Sequence, residues 1–460
     1  MRLAALLVSA LALGACRQQP ARPGLPPRNL LVITVDELRP DRMSCYDNVR
    51  PTTWLPKDST QIVEQRAFDI DELARTGVVF RHAYAPLEKM IPSVVSLFTG
   101  HGPRTSGVLE YDKIAAEIVP VTLPEVLAGE GFETVALISH QPPKEGLNLK
   151  RLLLEGKFEA YFECADDQET LLRARDWIAE RDFGNERPFF LWLHLSGLLP
   201  PYRAAPVEDP TSFAPHYAWE EYQGPARRPW EFLVRVKKGE LDPTAEDWAY
   251  LEARYDEALG ELTRELAGLL AELFDYHLPS AELSETWART LLVLTAPTGT
   301  DFQRNQEELG YARDVSEEML RVPLILRHPD SLTGERVFDE VVELADVMPT
   351  VLEWFEIDVP AGVTGRSLLG ITDRGRSFAS RPAFATKRDS IHTARTERWR
   401  MIWDTERLRL HPEPVDTDTL LFDCLHNPYS TVDVAGSHPE VTAELRRELE
   451  AWAAIEFPDG

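Results

Sequence analysis

The sequence is poor in cysteine, and its few cysteines follow no metal-binding pattern. Only 4 of its 460 residues are cysteine. Apart from Cys16 near the N-terminus, Cys45, Cys164 and Cys424 are widely spaced and odd in number. This spacing excludes a zinc site of the usual kind. It leaves one disulfide possible, although buried free thiols are the expected state.

Positive charge is also in short supply. The chain has 49 lysine and arginine residues against 76 aspartate and glutamate residues, a formal net charge of −27 at pH 7. A surface of this sign repels polyanions over long distances, so nucleic acid is not expected as a partner. The acidic residues are expected to form a solvated surface that keeps the protein soluble.

The apolar run at the N-terminus is short. Arg2 precedes an apolar stretch from Leu3 to Leu13, and Leu13-Gly14-Ala15-Cys16 follows as a small-residue cleavage site. Such a stretch cannot span a bilayer as a mature helix, but it fits an export signal. The segment is similar to a bacterial lipobox, which implies a signal peptide over residues 1–15. Acylated Cys16 and a tether would then occupy residues 16–28. The expected location is a bacterial membrane, either the outer membrane, a periplasmic face or the cell surface, with the protein held by its lipid.

The segments that follow alternate between apolar strands and helices. Asn29 to Val35 is a continuous apolar strand that ends at Asp36 and Glu37. Further strand candidates are residues 134–139, 189–195, 291–295 and 322–327, and helix candidates are residues 123–127, 171–179 and 250–274. This alternation predicts an α/β domain over residues 29–370, with a doubly wound, mostly parallel sheet flanked by helices. Residues 206–248 have weak periodicity and are predicted to be an insertion or loop.

The C-terminal part has a different pattern. Residues 395–403 and 420–423 are strand candidates, and residues 439–453 have the spacing of an amphipathic helix. Residues 371–460 are therefore predicted to form a small α+β subdomain.

A run between the first and second predicted strands carries a family resemblance. Met90-Ile91-Pro92-Ser93-Val94-Val95-Ser96-Leu97-Phe98-Thr99-Gly100 is similar to the sulfatase signature Cys-x-Pro-Ser-Arg-x-Ser-Leu-x-Thr-Gly. Segments similar to other sulfatase landmarks follow in the same order: residues 254–256, 320–324, 344–350 and 365–368. The chain thus resembles the sulfatase family of the alkaline phosphatase superfamily over nearly its whole length.

The resemblance fails at the nucleophile. Met90 stands where the family has the cysteine that is oxidised to formylglycine, and Val94 stands where it has an arginine. A thioether has no proton to lose and cannot be activated as a covalent nucleophile. No formylglycine is expected in this chain.

The metal site implied by the resemblance is also incomplete. The family holds a divalent cation, usually calcium, with acids after the first strand and a second pair after a later strand. Asp36 and Glu37 match the acids after the first strand, whereas Pro297 and Thr298 replace the pair after the later strand. Because calcium takes about 6 to 8 oxygen ligands, the two acids are expected to be vestigial and to bind calcium weakly at best. No cofactor is expected.

The family's basic groups are replaced as well. Other residues stand at their positions or beside them: Ser106, Gly197, Leu199 and Leu309, with Ser139 where some members have lysine. His194 remains, but it lies within an apolar strand, which is typical of a core histidine. Ester hydrolysis needs a nucleophile, a proton donor and charge neutralisation together, and all three are missing from the expected places.

These losses predict a pseudoenzyme that acts as a binding or assembly component of the cell envelope. Its cleft would suit a protein partner, and the aromatic residues between Trp219 and Trp248 leave a glycan possible. The alternative is a divalent-metal-dependent hydrolase of sulfuric or phosphoric esters with an altered active site. Hydroxyl groups near Met90 that could replace the nucleophile are Ser93, Ser96 and Thr99, with Lys89 as a base.

Overall fold

The architecture consists of one large sheet with helices and one small sheet with a closing helix. The computed structural model describes residues 28–50, 52–53, 68–109, 120–139, 149–181, 187–200, 202, 222–274, 288–302, 315–328, 332, 336–372, 378, 380–387, 390–405, 417–430 and 432–455. Of the predicted positions, Cys16, Trp219 and Leu309 lie outside these ranges.

The large sheet has eight strands. They are β1 (Asn29–Val35), β2 (Val78–Tyr84), β3 (Glu133–Ser139), β4 (Ala160–Cys164), β5 (Phe189–Leu195), β6 (Thr290–Thr295), β7 (Arg321–Arg327) and β8 (Arg336–Glu343). Their order is β4-β3-β5-β1-β6-β7-β2-β8, and β7 runs antiparallel to both of its neighbours. The predicted mostly parallel α/β sheet is confirmed. β1 and β5 are buried over their full length, which explains their unbroken apolar sequences.

The helices cover the sheet. They are α1 (Ile70–Thr76), α2 (Met90–Thr99), α3 (Pro103–Ser106), α4 (Leu123–Gly129), α5 (Asp167–Ala179), α6 (Pro229–Lys237), α7 (Ala245–Phe274), α8 (Glu317–Leu320), α9 (Val347–Trp354), α10 (Leu369–Thr372) and α11 (Pro439–Ala453). Residues 206–248 were predicted to be an insertion or loop, and the C-terminal part of this stretch is not a loop, because it contains α6 and the start of α7. A proline at the first position favours α6, and Phe232 and Val236 bury its apolar face.

An aromatic cluster fixes α2 on the sheet. Phe98 of α2 meets Trp192 of β5 edge to face, with ring centroids 4.8 Å apart, and Phe158 and Phe190 pack around the pair. All ten residues of α2 are buried. The helix is therefore held rigidly, and its first residue, Met90, lies at the edge of the sheet where β2 ends.

The small C-terminal sheet is antiparallel. Its strands are β9 (Ala383–Lys387), β10 (Ile391–Arg395), β11 (Trp399–Asp404) and β12 (Thr419–Asp423), in the order β12-β11-β10-β9, and α11 packs on it. The small α+β subdomain is confirmed. The single strand predicted over residues 395–403 is wrong, because a turn at residues 396–398 divides it into β10 and β11. The Thr396 N–H donates to the Trp399 carbonyl oxygen at 2.8 Å and closes this turn.

Cys45, Cys164 and Cys424 all have free thiols, as expected. Within the described ranges, none of the helices is both long and apolar enough to cross a bilayer.

Candidate active site

The candidate site lies where the parallel strands end. Asp36 follows β1 directly, is 5% exposed, and donates its N–H to the Leu195 carbonyl oxygen at 2.8 Å. Glu37 has φ 59°, in the left-handed region. This conformation costs a residue other than glycine about 1 to 2 kcal/mol, and it persists only where the surroundings hold it.

Tyr255 of α7 holds this turn. Its hydroxyl donates to the Glu37 carbonyl oxygen at 2.7 Å and accepts the Arg39 N–H at 3.1 Å. Burial raises the pKa of the Tyr255 hydroxyl, which keeps it neutral and able to donate. The first acids after β1 are thus positioned by a helix more than two hundred residues further along the chain.

Replacing Tyr255 by phenylalanine is expected to lower the free energy of unfolding by about 1 to 3 kcal/mol, because it leaves a buried carbonyl and a buried N–H without their partner. Chemical denaturation measures this loss. Tyr250→Phe on the same helix is the control, because Tyr250 only half-buries its side chain and stacks on Tyr222. Equal losses in the two variants would contradict the role given to Tyr255.

Arginines near this turn are already paired. Arg39 holds Asp41 through two hydrogen bonds of 2.9 and 2.8 Å. Burial opposes ionisation of Asp41, but the Arg39 guanidinium outweighs it and lowers the pKa of the carboxyl. Arg42 contacts Glu252 at 2.8 Å and Asp256 at 3.5 Å. These guanidinium groups are committed to carboxylates, so they build the wall of the cleft rather than an anion site.

The wall opposite Asp36 follows β6. Thr34 and Thr295 are register partners, so Pro297 and Thr298 lie close to the Asp36 turn. Thr298 is 4% exposed and offers a hydroxyl in place of a carboxylate or imidazole. The described ranges contain no group of three histidine, cysteine, aspartate or glutamate side chains that could hold a metal ion.

This donor set does not fit calcium, which needs about 6 to 8 oxygens. No chemical step is therefore assigned to a metal here. The weak calcium binding predicted for Asp36 and Glu37 stays a prediction.

The N-terminus of α2 offers no replacement nucleophile. Met90 and Val94 are buried, at 5% and 0% exposed. The Ser93 hydroxyl donates to a backbone carbonyl at 3.2 Å, and the Thr99 hydroxyl does so at 2.7 Å. Ser96 is also fully buried. The Ser96 hydroxyl has no hydrogen-bond partner among the described residues, but none of the three hydroxyls is exposed to a substrate.

Three further positions named from the sequence lie within the fold rather than in an open site. His194 of β5 is fully buried beside β1, with its Nδ1 2.8 Å from Thr34 Oγ1. Burial lowers the pKa of its imidazole to about 3, so the ring is neutral, and the prediction of a core histidine is confirmed. The Ser106 hydroxyl donates to the Pro103 carbonyl oxygen at 3.4 Å. Leu199 is half-buried in the loop after β5.

A hydroxyl–carboxylate relay lies at the ends of β3 and β5. Asp167, in the first turn of α5, accepts the N–H groups of Ser196 and Gly197, each at 2.8 Å. The Ser139 hydroxyl also bonds to the Asp167 carboxylate and lies 2.7 Å from the Ser196 hydroxyl oxygen. Burial raises the pKa of the Asp167 carboxyl despite these hydrogen bonds. Ser139 and Asp167 are buried, whereas Ser196 is half-buried.

The relay lies next to the Asp36 turn. Val35 and Leu195 are register partners in adjacent parallel strands, so the residues that follow them, Asp36 and Ser196, leave the sheet side by side. Ligands of open α/β sheets bind at this edge. The half-buried end of the relay therefore points to the expected place of a substrate.

Gly197 makes the relay possible. A Cβ atom at this position would collide with Asp167 Oδ2. Gly197 stands where the resemblance has an aspartate, and the structure brings the Asp167 carboxylate of α5 against Gly197. Sequence reasoning missed Asp167 because its partners are 29 and 30 residues away. The only local sign was a Ser-Gly pair directly after a buried strand.

The chain is thus a large α/β protein whose candidate site lies at the carboxyl ends of the strands of a mostly parallel sheet. The sulfatase family model matches residues 28–357, and a model of the N-sulphoglucosamine sulphohydrolase C-terminal region matches residues 310–450. The first match covers well over half of the chain. The chain belongs to the sulfatase family.

Named relatives extend over most of the chain. An arylsulfatase of Clostridium perfringens is 22% identical over 429 residues, covering 79% of this chain and 80% of its own. An ulvan-active sulfatase of Formosa agariphila is 21% identical and covers 83% and 70%. Among solved structures, the phosphonate monoester hydrolase of Silicibacter pomeroyi has a TM-score of 0.63 at 19% identity, covering 92% and 94%.

These comparisons correct the functional prediction. The relatives are sulfatases and a phosphonate monoester hydrolase, and they support neither a loss of activity nor a binding role. The prediction of a pseudoenzyme that acts as an envelope binding or assembly component is wrong. The alternative, an ester hydrolase with an altered active site, agrees better with them.

Proposed function

We propose that the protein is a sulfatase-type hydrolase of sulfuric or phosphoric esters, with Ser196 as its nucleophile and Asp167 as the base. The observation that carries this proposal is the relay from Asp167 through Ser139 to Ser196 beside the Asp36 turn. Family membership supports the reaction class, and the relay supplies a nucleophile that Met90 cannot be.

The relay meets the chemical needs of a nucleophile. As the Ser196 oxygen attacks phosphorus or sulfur, its proton passes to Ser139 Oγ, and the Ser139 proton passes to Asp167. The bond from phosphorus or sulfur to the ester oxygen breaks, and the leaving alkoxide takes up the proton held by Asp167. Water then hydrolyses the covalent seryl ester. The raised pKa of Asp167 suits this exchange, because a base works best when its pKa approaches the working pH.

The two N–H groups on Asp167 have a positioning role. They hold the carboxylate in one orientation at no cost during the reaction, since they belong to the fixed backbone after β5. Burial excludes water from Ser139 and Asp167, so that Ser139 hydrogen-bonds within the relay. Ser196 is the member of the relay that a substrate can reach.

The test is turnover of the purified full chain on three aryl esters: a sulfate, a phosphate and a phosphonate monoester. The proposal expects hydrolysis of at least one of them, with release of the phenol and first-order dependence on enzyme. Addition of a chelator separates a metal-dependent contaminant from the chain's own activity. Failure to hydrolyse any of the three would contradict the proposal for these ester classes.

Export and anchoring through Cys16 remain predictions, as do the expected protein or glycan partners.

A further inference from the structure

Helix α6 carries an exposed tryptophan on its outer side. Trp230 is 64% exposed, whereas Phe232 and Val236 on the opposite side of the helix are buried. Neither Trp230 nor its neighbours on α6 belong to the Ser196 relay or to the Asp36 turn. A large indole left in water on a well-packed helix is typical of a contact surface.

Buried contacts fix the orientation of α6 on α7. Phe232 meets Trp248 edge to face, with ring centroids 5.1 Å apart. At the start of α6, the Tyr222 hydroxyl accepts the Ala226 N–H at 3.0 Å and donates to the Asp247 carboxylate. The outer side of α6 is therefore held in one orientation before any partner arrives.

The outer side combines apolar and basic side chains. Because an α-helix has about 3.6 residues per turn, residues 230, 234 and 237 share one face. Trp230 and Lys237 on this face are exposed, and Val234 between them is half-buried. Arg227 and Lys238 are exposed at the two ends of the helix. These five residues form the Trp230 face.

The Trp230 face is positive on a strongly acidic chain. Residues 227–238 contain five basic residues and one acidic residue, whereas the whole chain has 49 basic against 76 acidic residues. The acidic residue, Glu231, pairs with Arg228 at 3.2 Å. Within the part of the chain that the structure describes, no carboxylate pairs with Lys237 or Lys238. The positive charge of this face therefore calls for an anionic partner.

The net charge of the chain does not prevent such a contact. The Debye length is about 8 Å at physiological ionic strength, so acidic residues farther away are largely screened. The sign of the charge on the contacting face then decides. Contact at short range is favourable although the chain as a whole is negative.

The apolar residues of the face favour a lipid surface over other polyanions. Tryptophan is enriched at the boundary between lipid headgroups and acyl chains, where its ring lies in an apolar layer and basic side chains reach the headgroups. Trp230 and Val234, flanked by basic residues, match this arrangement. An anionic polysaccharide would neutralise the charges and stack on the indole, but it offers Val234 no apolar layer.

We propose that the Trp230 face is a docking surface for a membrane with anionic lipids. The helix lies in the plane of the interface, with the Trp230 ring at the level of the headgroups and the Arg227, Lys237 and Lys238 side chains on lipid phosphates. Each basic residue near an anionic lipid surface strengthens binding by about fivefold. This contact is separate from the lipid anchor predicted at Cys16 and from the proposed hydrolase activity.

The test is hydroxyl-radical footprinting with mass spectrometry, which reports the solvent exposure of single side chains. The full chain carries Cys16→Ala, so that no acyl chain holds it on a vesicle. Vesicles of phosphatidylcholine alone are compared with vesicles of phosphatidylcholine and phosphatidylglycerol in equal parts. The apolar N-terminal stretch can enter both kinds of vesicle, so it does not account for a difference between them.

Oxidation of Trp230 is expected to fall several-fold on the anionic vesicles and to stay unchanged on the neutral ones. Molar sodium chloride is expected to restore it, since the Debye length then shortens to about 3 Å. Trp399 of the small sheet is half-buried and serves as the internal reference, with equal oxidation expected throughout.

Variants separate the Trp230 face from the general charge of the chain. Lys237→Glu combined with Lys238→Glu is expected to weaken sedimentation with anionic vesicles by at least about tenfold. Arg398→Glu combined with Arg447→Glu makes the same change of net charge at exposed positions elsewhere and is expected to have little effect.

Equal Trp230 oxidation on the two kinds of vesicle would overturn the proposal, as would equal losses of binding in the two double variants. Protection of Trp230 by soluble dextran sulfate but not by anionic vesicles would also overturn it and would assign the face to an anionic polysaccharide.

Discussion

Replacing Ser196 by alanine is expected to lower kcat/KM for ester hydrolysis by at least about a thousandfold, because the variant has no oxygen to form the covalent intermediate. Steady-state kinetics on the best aryl ester measures the loss. Ser93→Ala is the matched control. Its hydroxyl is buried in α2 and donates to a backbone carbonyl, so this variant is expected to keep its activity.

Asp167→Asn is expected to cause a loss of similar size and to change the pH profile. The base works only when ionised, so kcat/KM of the wild type should rise with pH through the Asp167 pKa, which burial raises above the usual carboxyl range. The variant should lack this acidic limb in any residual activity. Ser139→Ala breaks the relay while leaving the nucleophile, so its loss is expected to be smaller.

A loss of activity in these variants can be distinguished from a loss of folding. The amide introduced by Asp167→Asn presents an N–H₂ group towards one of the two backbone N–H groups that the carboxylate accepts. The stability of this variant is therefore to be checked by thermal unfolding before its kinetics are interpreted. A Ser196→Ala variant with wild-type activity would contradict the proposed nucleophile, even if Asp167→Asn were inactive.

The free energy of unfolding is expected to fall steeply below pH 6.5, and His194 is one cause. Its imidazole pKa is lowered from 6.5 to about 3 in the folded protein by burial. The unfolded chain therefore binds a proton more readily than the folded one. The stabilisation that results is complete above pH 6.5 and is lost as the pH falls towards 3.

The magnitude for this group is on the order of 5 kcal/mol, since one pKa unit corresponds to about 1.4 kcal/mol. Urea denaturation at several pH values measures it. Carboxylates also titrate in this window, so the informative quantity is the difference in slope between the wild type and His194→Gln. Identical slopes for the two proteins would show that His194 is not buried as a neutral ring.

The fold was largely predictable because its central strands are buried on both faces. β1 and β5 are unbroken apolar segments, and Asp36 after β1 marks the edge where ligands bind. The turn at residues 396–398 was missed because Thr396-Glu397-Arg398 contains neither glycine nor proline, the usual signals of a turn. α6 was missed because it is only nine residues long and lies at the end of a stretch with weak periodicity.

The site was less predictable because its parts come from separate elements. Reasoning position by position identified what Met90, Gly197 and Pro297 cannot do, and from this it concluded that activity was lost. It could not show that α5 brings Asp167 to Gly197, since this contact depends on how the helix packs against β3 and β5.

The covalent intermediate on Ser196 can be detected by mass spectrometry of peptides from the full chain, acid-quenched during turnover of an aryl phosphate or sulfate. We expect a phosphoryl or sulfuryl group on the peptide that contains Ser196, mapped to that residue and absent from Ser196→Ala. Modification of Ser93, Ser96 or Thr99 instead, with Ser196 unmodified, would contradict Ser196 as the nucleophile.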